Sequence, residues 1–410
     1  MQQFLEESKK ISRTVATLSG ETKNKILNEM ANALIEHCDY IVTQNNRDMK
    51  AGEENNLSDS LMDRLLLTGQ RVNAMATAIK EIASQKDPVG RTLDGWLTEN
   101  NLNIQKVSVP IGVIGVIYES RPNVTSDTAA LCFKSGNVCI LKGGKEAEHS
   151  NKAIANILRN VLEKNKLPQN AISLLPDSSR DGVAKLIKQD KYVDLIVPRG
   201  GEALIKYICE NSSVPVVKHD KGLCHTYIDK NANGKMAIDI AVNAKCQRPG
   251  VCNAMETLLI HQDVASLMLP ALHDAFLANS TELRGDERTR KIIDIKCATQ
   301  EDYDTEYLAN ILSVKIVKDT KEAIAHISKY GSGHSEAIIS ENYSTINYFL
   351  DNVDAACVYA NASTRFTDGG AFGLGAEVGI STNKLHARGP MGINDLTTYK
   401  FKIFGNGQIR

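Results

Sequence analysis

From Val113 onward the sequence alternates short apolar runs with amphipathic stretches of helical spacing, and no other feature narrows the fold as much. That alternation is the signature of an α/β chain built on a mostly parallel sheet. Candidate strands are Val113 to Tyr118, Val138 to Leu141, Ile172 to Leu175 and Asp194 to Val197. Between the second and third, Ala153, Ile154, Ile157, Leu158, Val161 and Leu162 form one helical stripe that ends near Pro168 and would cover a sheet face. A second α/β stretch begins near Cys224, with strand-like runs at Glu256 to Ile260, Val314 to Val317, Ala337 to Ile339 and Ala356 to Tyr359. Helices are expected between these runs at about 263 to 278 and 320 to 329.

The flanking regions differ. Residues 1 to about 85 read as helices, with Ile26, Leu27, Met30, Leu34 and Ile35 spaced for one buried face. Thr92 to Leu97 and Leu102 to Val109 flank the turn-prone Thr98-Glu99-Asn100-Asn101 and predict a hairpin that carries the single Trp96. Beyond Asn361 the chain is Gly-rich and closes on a terminal strand, Thr397 to Phe404.

Charge excludes some partners. Lys plus Arg total 48 against 49 Asp plus Glu, so a net charge of -1 gives no electrostatic footprint for nucleic acid or an anionic membrane, and small ligands are the expected partners. The nine cysteines are odd in number and show no C-x-x-C pair, which points to a reducing compartment without disulfides or a zinc site. Charges occupy the first ten residues where a signal peptide needs an apolar run, and no stretch of about 18 apolar residues occurs, so a cytoplasmic protein is expected.

Several segments could carry chemistry. Gln247-Arg248-Pro249-Gly250-Val251-Cys252-Asn253-Ala254 sets a cysteine after a Pro-Gly break and before an apolar strand, as a nucleophile projecting into a cleft or as a small buried hydrophobe. In Asp194 to Glu202 a strand runs into Gly200 and Gly201 and then a helix, whose first amides could hold a phosphate or simply make a tight turn. Lys142-Gly143-Gly144-Lys145 sets two cations among glycines, as a phosphate site or a solvated loop. In Asn361-Ala362-Ser363-Thr364-Arg365 the guanidinium and hydroxyls suit an anionic substrate end, or the hydroxyls cap a helix. Glycines 373, 375 and 379 imitate a dinucleotide fingerprint with the wrong spacing. His334 and His386 fall in no metal-ligand spacing, and no metal is predicted.

Taken together, Tyr118-Glu119-Ser120-Arg121-Pro122-Asn123-Val124-Thr125, the Cys252 segment, His334-Ser335-Glu336-Ala337-Ile338, Asn361 to Gly370, Phe372 to Glu377 and Lys384 to Gly392 resemble the aldehyde dehydrogenase superfamily, in the branch that acts on γ-glutamyl phosphate. The resemblance spans nearly the whole chain. It implies two Rossmann-like parallel-sheet domains with an oligomerisation hairpin. Residues 1–223 would form the cofactor domain with the hairpin at about 92–109, residues 224–361 the catalytic domain, and residues 362–410 a return to the cofactor domain with an oligomerisation strand. It further implies NADPH-dependent reduction of L-glutamyl 5-phosphate to L-glutamate 5-semialdehyde through a Cys252 thioester, the second step from glutamate toward proline. By the same resemblance Asn123 is an oxyanion-hole amide, Lys142 and Lys145 meet the adenosine ribose and its 2′-phosphate, and Gly200 and Gly201 lie near the pyrophosphate. Glu306 aligns with a glutamate that holds the nicotinamide ribose. Arg121, Ser363 and Arg365 are the expected substrate ligands. Where hydrolytic members carry a general-base glutamate, this chain reads Val217-Lys218-His219-Asp220-Lys221-Gly222, with His219 in its place. The expected assembly is a homo-oligomer of at least two chains, with glutamate kinase as a candidate partner.

Overall fold

In a computed structural model, which describes residues 1–217 and 221–410, the chain divides into two compact units. The first comprises the described residues before position 218 together with Gly373–Gly379 and Met391–Arg410, and the second runs from Lys221 to Phe372 with Ile380–Pro390.

The first unit opens with helices Gln2–Val15, Gly20–Glu36, Cys38–Glu54, Asp59–Leu65 and Gly69–Ser84. Hydroxyl caps fix two of their starts: Ser19 accepts the Thr22 N–H at 3.1 Å, and Thr68 accepts the Arg71 N–H at 3.2 Å. Ile26, Leu27, Met30 and Leu34 are buried as their spacing predicts, whereas Ile35 is 43% exposed. It sits about 100° round the helix from Leu34, beyond the edge of the apolar stripe.

Strands β1 (Thr92–Leu97) and β2 (Asn103–Pro110) form the expected hairpin, and the C-terminal strand Thr397–Phe404 pairs antiparallel with the other edge of β2. Trp96 meets Phe401 edge-on at 6.1 Å. The unit's parallel sheet contains β3 (Val113–Tyr118), β4 (Val138–Lys142), β5 (Ile172–Leu174) and β6 (Leu195–Arg199), in the order β5-β4-β3-β6. Every residue of β3 is buried, because helices cover both faces of such a sheet. Cys132 and Cys139 are fully buried core residues here.

The main sheet of the second unit has seven strands: β7 (Cys224–Ile228), β8 (Met255–His261), β9 (Glu282–Gly285), β10 (Lys296–Cys297), β11 (Ile311–Val317), β12 (Ser335–Ile339) and β13 (Cys357–Ala360). All pairings within this sheet are parallel, in the order β10-β9-β11-β8-β7-β12-β13, and a separate antiparallel pair joins Ile380–Ser381 to Gly389–Pro390. Side chains alternate across the sheet with period two. Leu258 and Ile260 of β8 therefore pack with helices Gly234–Cys246 and Gln262–Ala278. Leu259 packs on the opposite face with Ala323, Ile327 and Phe349 from helices Thr320–Tyr330 and Tyr343–Asn352.

Candidate active site

Cys252 lies on the turn that delivers the chain into β8, where the Ala254 N–H closes back on the Val251 carbonyl at 3.0 Å. The side chain is half-buried. Its neighbour Asn253 is tied down three times from the segment after β13. The Thr364 hydroxyl donates to the Asn253 carbonyl at 2.8 Å, the Asn253 amide donates to the Thr367 carbonyl at 2.8 Å, and the Arg365 guanidinium donates to the Asn253 side-chain oxygen. Arg365 also donates through Nε to Gln247 at 3.0 Å, so its charge is fixed beside the cysteine turn. Burial lowers the Arg365 pKa, and Arg248 lowers it further, so two cations stand close together there, a suitable receiver for an anionic group. The Ser363 hydroxyl accepts the Arg365 N–H at 3.3 Å and caps the short turn Thr364–Phe366.

Beneath this turn a buried ion pair supports the next layer. Lys245, fully buried, donates to Glu256 at 2.6 Å, and Glu256 is 1% exposed. Burial pushes the Glu256 carboxyl up to about 7 against the opposing pull of Lys245, and burial lowers the Lys245 ammonium. Glu256 is the extra residue of a bulge, since Cys224 pairs with Met255 and His225 with Thr257. Its other oxygen accepts the Leu308 N–H at 3.3 Å, which holds the loop carrying half-buried Glu306.

The remaining predicted residues belong to the first unit. Asn123 begins helix Asn123–Lys134 and donates from Nδ2 to Asp127 at 2.9 Å. A side-chain amide nitrogen carries two hydrogens, so this bond orients the NH2 group and employs one of them. Burial pushes the Asp127 carboxyl up to about 6, with the Asn123 bond opposing. Lys142 ends β4 half-buried, its pKa lowered by burial and raised by Glu146 and Glu119. Lys145, itself exposed, starts a short turn after Gly143 and Gly144. Gly200 and Gly201 follow β6, and the Gly201 N–H at the start of helix Glu202–Asn211 donates to the Glu119 carboxylate at 2.9 Å. A Cβ on Gly200 would lie 2.7 Å from that same oxygen. Arg121 occupies the turn between β3 and helix Asn123–Lys134.

The structure thus assembles Cys252, Arg365 and Ser363 on one sheet end of the second unit, with Glu306 on the adjoining loop. It gathers Lys142, Gly200 and Gly201 around Glu119 in the first. Arg121 and Arg365 fall in different units. His219 lies outside the described residues. Gly373 and Gly375 occupy left-handed turn positions with φ of +73° and +70°, and no strand runs into them. His334 is buried, its Nδ1 2.9 Å from Ser335 Oγ, a hydrogen-bonding role rather than a surface one. Among the described residues no group of His, Cys, Asp or Glu could hold a metal ion, and no helix is long and apolar enough to cross a membrane. Asn253 and Asp127 escaped the sequence reading as site residues, although Asp127 stands one helical turn from Asn123.

The aldehyde dehydrogenase family model matches residues 1–290, and the chain belongs to the aldehyde dehydrogenase family. Within it, the chain is similar to curated proteins named gamma-glutamyl phosphate reductase. The one from Aliarcobacter butzleri is 67% identical and that from Sulfurovum sp. 66% identical, each over 410 residues and 100% of both chains. The crystal structure of gamma-glutamyl phosphate reductase from Thermotoga maritima superposes with a TM-score of 0.97 at 43% identity, covering 100% of this chain and 99% of that one. An acetylating aldehyde dehydrogenase from Geobacillus thermoglucosidasius, 18% identical with a TM-score of 0.71 over 100% of this chain and 97% of its own, shares the fold.

Removing one partner of the Lys245–Glu256 pair leaves a buried charge, which costs about 3–5 kcal/mol. Lys245→Met should therefore lower the unfolding free energy by about that amount in denaturant titrations, and Lys245→Met/Glu256→Gln should recover most of it. The sign with pH follows from the carboxyl. An acid whose folded pKa lies above its unfolded value loses stability as pH rises between the two, so the single variant should suffer more at pH 8 than at pH 5.

Proposed function

We propose that this chain reduces L-glutamyl 5-phosphate to L-glutamate 5-semialdehyde and phosphate with NADPH, the second step from glutamate toward proline, in a reducing cytoplasm. Full-length identity of 67% to a protein named gamma-glutamyl phosphate reductase carries the reading. Cys252 on its pinned turn supports it, because a thiolate that adds to an acyl carbon must be held at a fixed angle to that carbon.

Cys252 attacks the γ-carbonyl carbon and phosphate departs with the electron pair of the C–O bond, leaving a thioester on the sulfur. Asn123 donates from its oriented amide to the oxyanion formed during attack, a contribution of about 3 kcal/mol for comparable donors. Arg365 holds an anionic end of the substrate, helped by Arg248 beside it. Arg121 and the hydroxyl of Ser363 are further substrate contacts. When bound, NADPH would supply the hydride equivalent that takes the thioester to the aldehyde level, and Cys252 departs as the thiolate with the electron pair of the C–S bond.

The described residues fit that cofactor. Gly201 already offers its N–H to a carboxylate oxygen, the kind of partner a pyrophosphate oxygen also is. Lys142 and Lys145 bring cations to the end of β4, where Lys145 would receive the 2′-phosphate, and Glu306 would hold the nicotinamide ribose hydroxyls. Residues 1–223 serve as the cofactor domain, 224–361 as the catalytic domain and 362–410 as the return. Glutamate kinase is the candidate supplier of the acyl phosphate.

The three-stranded sheet joins two chains in this proposal. Its outer strands each leave an edge without a partner strand among the described residues, and Leu97, Phe401, Ile403 and Phe404 are all exposed. Light scattering should give at least a dimer, and a 44.9 kDa particle at working concentration would contradict this.

The activity is tested in reverse, by NADPH formation from glutamate semialdehyde and NADP+. Phosphate should accelerate it steeply, because phosphate attacks the thioester unaided whereas water needs the base that His219 replaces. Cys252→Ala should abolish it. Sustained NADPH formation without phosphate, with glutamate accumulating, would overturn the reading. Cofactor choice has its own test. In binding titrations Lys145→Glu should weaken NADPH about tenfold or more while NADH changes little, and equal losses would remove Lys145 from that role.

A further inference from the structure

We infer that Cys224 is a positioning residue for the nucleophile: its buried thiol holds the Cys252 carbonyl and so sets the direction in which the Cys252 side chain leaves the turn. The inference rests on the reading of Cys252 as the nucleophile and adds a residue to that site.

Cys224 opens β7 and is fully buried. Its sulfur lies 3.2 Å from the Cys252 carbonyl oxygen and 3.7 Å from His334 Nδ1. A carbonyl oxygen only accepts, so in the contact with Cys252 the thiol donates its single S–H proton, which is then not available to His334. Burial raises the Cys224 pKa well above its ordinary value, with Glu336 next in effect, so the thiol keeps the proton that this bond needs. Behind it a buried chain continues: His334 Nδ1 to Ser335 Oγ at 2.9 Å, Ser335 Oγ to Thr367 Oγ1 at 2.6 Å, and Thr367 Oγ1 to the Tyr359 hydroxyl at 2.7 Å. Thr367 is also the residue whose carbonyl receives the Asn253 amide. The two peptides around the nucleophile are therefore held by one connected network.

Gly222 closes the same grip. A Cβ there would fall 1.9 Å from the Cys252 carbonyl oxygen and 2.5 Å from its Cα, a contact with backbone that cannot swing away. Gly222 and Cys224 thus press directly on the backbone of Cys252, while Thr364 and Thr367 hold Asn253. A nucleophile displaced by about 1 Å loses on the order of 100-fold in rate, so a grip on this carbonyl controls turnover more than substrate affinity.

The test compares unmodified enzyme, Cys224→Ala, Cys224→Ser, Gly222→Ala and Cys252→Ala. Each is measured for turnover and NADP+ binding, and all but Cys252→Ala also for kcat, for KM and for the iodoacetamide alkylation rate of the Cys252 peptide by mass spectrometry across pH. Cys224→Ala should lower kcat by about 10- to 100-fold and slow Cys252 alkylation, with KM and NADP+ binding within about twofold. Cys224→Ser retains a donor and should recover most of both, and Gly222→Ala should resemble Cys224→Ala. Equal impairment of the Ala and Ser variants would mean that sulfur volume matters rather than the donated proton, and would overturn the inference. So would unmodified kinetics and alkylation in Cys224→Ala while Cys252→Ala is inactive. Turnover surviving in Cys252→Ala would instead overturn the reading on which the inference depends.

Discussion

The backbone of the Cys252–Asn253 turn is gripped on both sides, and the chemistry assigned to this chain depends on that grip. An exposed turn of four residues samples many conformations, and ordering each residue costs about 1–2 kcal/mol. Here that ordering is supplied by the hydroxyl of Thr364, the carbonyl of Thr367, the thiol of Cys224 and the close approach of Gly222. All four come from segments fixed by the parallel sheet, since Cys224 opens β7 and the Thr364 to Thr367 turn follows β13. The sheet is therefore the frame that holds Cys252, the proposed nucleophile.

A frame of this kind requires polar groups in places where apolar ones would be more stable. Lys245 and Glu256 are buried beside the turn, and His225 and Glu336, bonded at 2.9 Å, are buried on the neighbouring strands. Burial raises the pKa of both carboxyls, which marks the desolvation that these positions carry. Glu256 returns something specific for it. Its second oxygen holds the Leu308 amide and thereby anchors the loop of Glu306. In the other unit, Glu119 on the Gly201 amide and Asp127 on the Asn123 amide orient donor groups in the same manner.

Much of this fold is legible in the sequence where apolar residues run continuously or recur at strand or helix spacing. β3, β4, the C-terminal strand and the helices at 262–278 and 320–330 lie within a residue or two of their expected bounds. Helix Gly234–Cys246 escapes because its buried positions Ala237, Ala241 and Ala244 give little apolar contrast with its exposed ones. Helix Asn123–Lys134 is buried nearly all round and shows no stripe. β9, Glu282–Gly285, is four residues of mixed polarity that only pairing with β11 makes a strand. Site residues divide the same way. Cys252, Asn123 and Arg365 stand in motifs that resemblance identifies. The contacts that hold such residues are not legible there, because Cys224 meets Cys252 from 28 positions away and Glu119 meets Gly201 from 82, separations that no local pattern encodes.

The central claim is that one cysteine carries the acyl group, and direct observation of that species is the closest test. Enzyme mixed with glutamate semialdehyde and NADP+ in phosphate-free buffer, quenched in acid and digested, should yield a glutamyl mass on the peptide containing Cys252 and on no other cysteine peptide. Turnover with an unmodified Cys252 peptide, or the glutamyl group on Cys224 or any other cysteine, would contradict it.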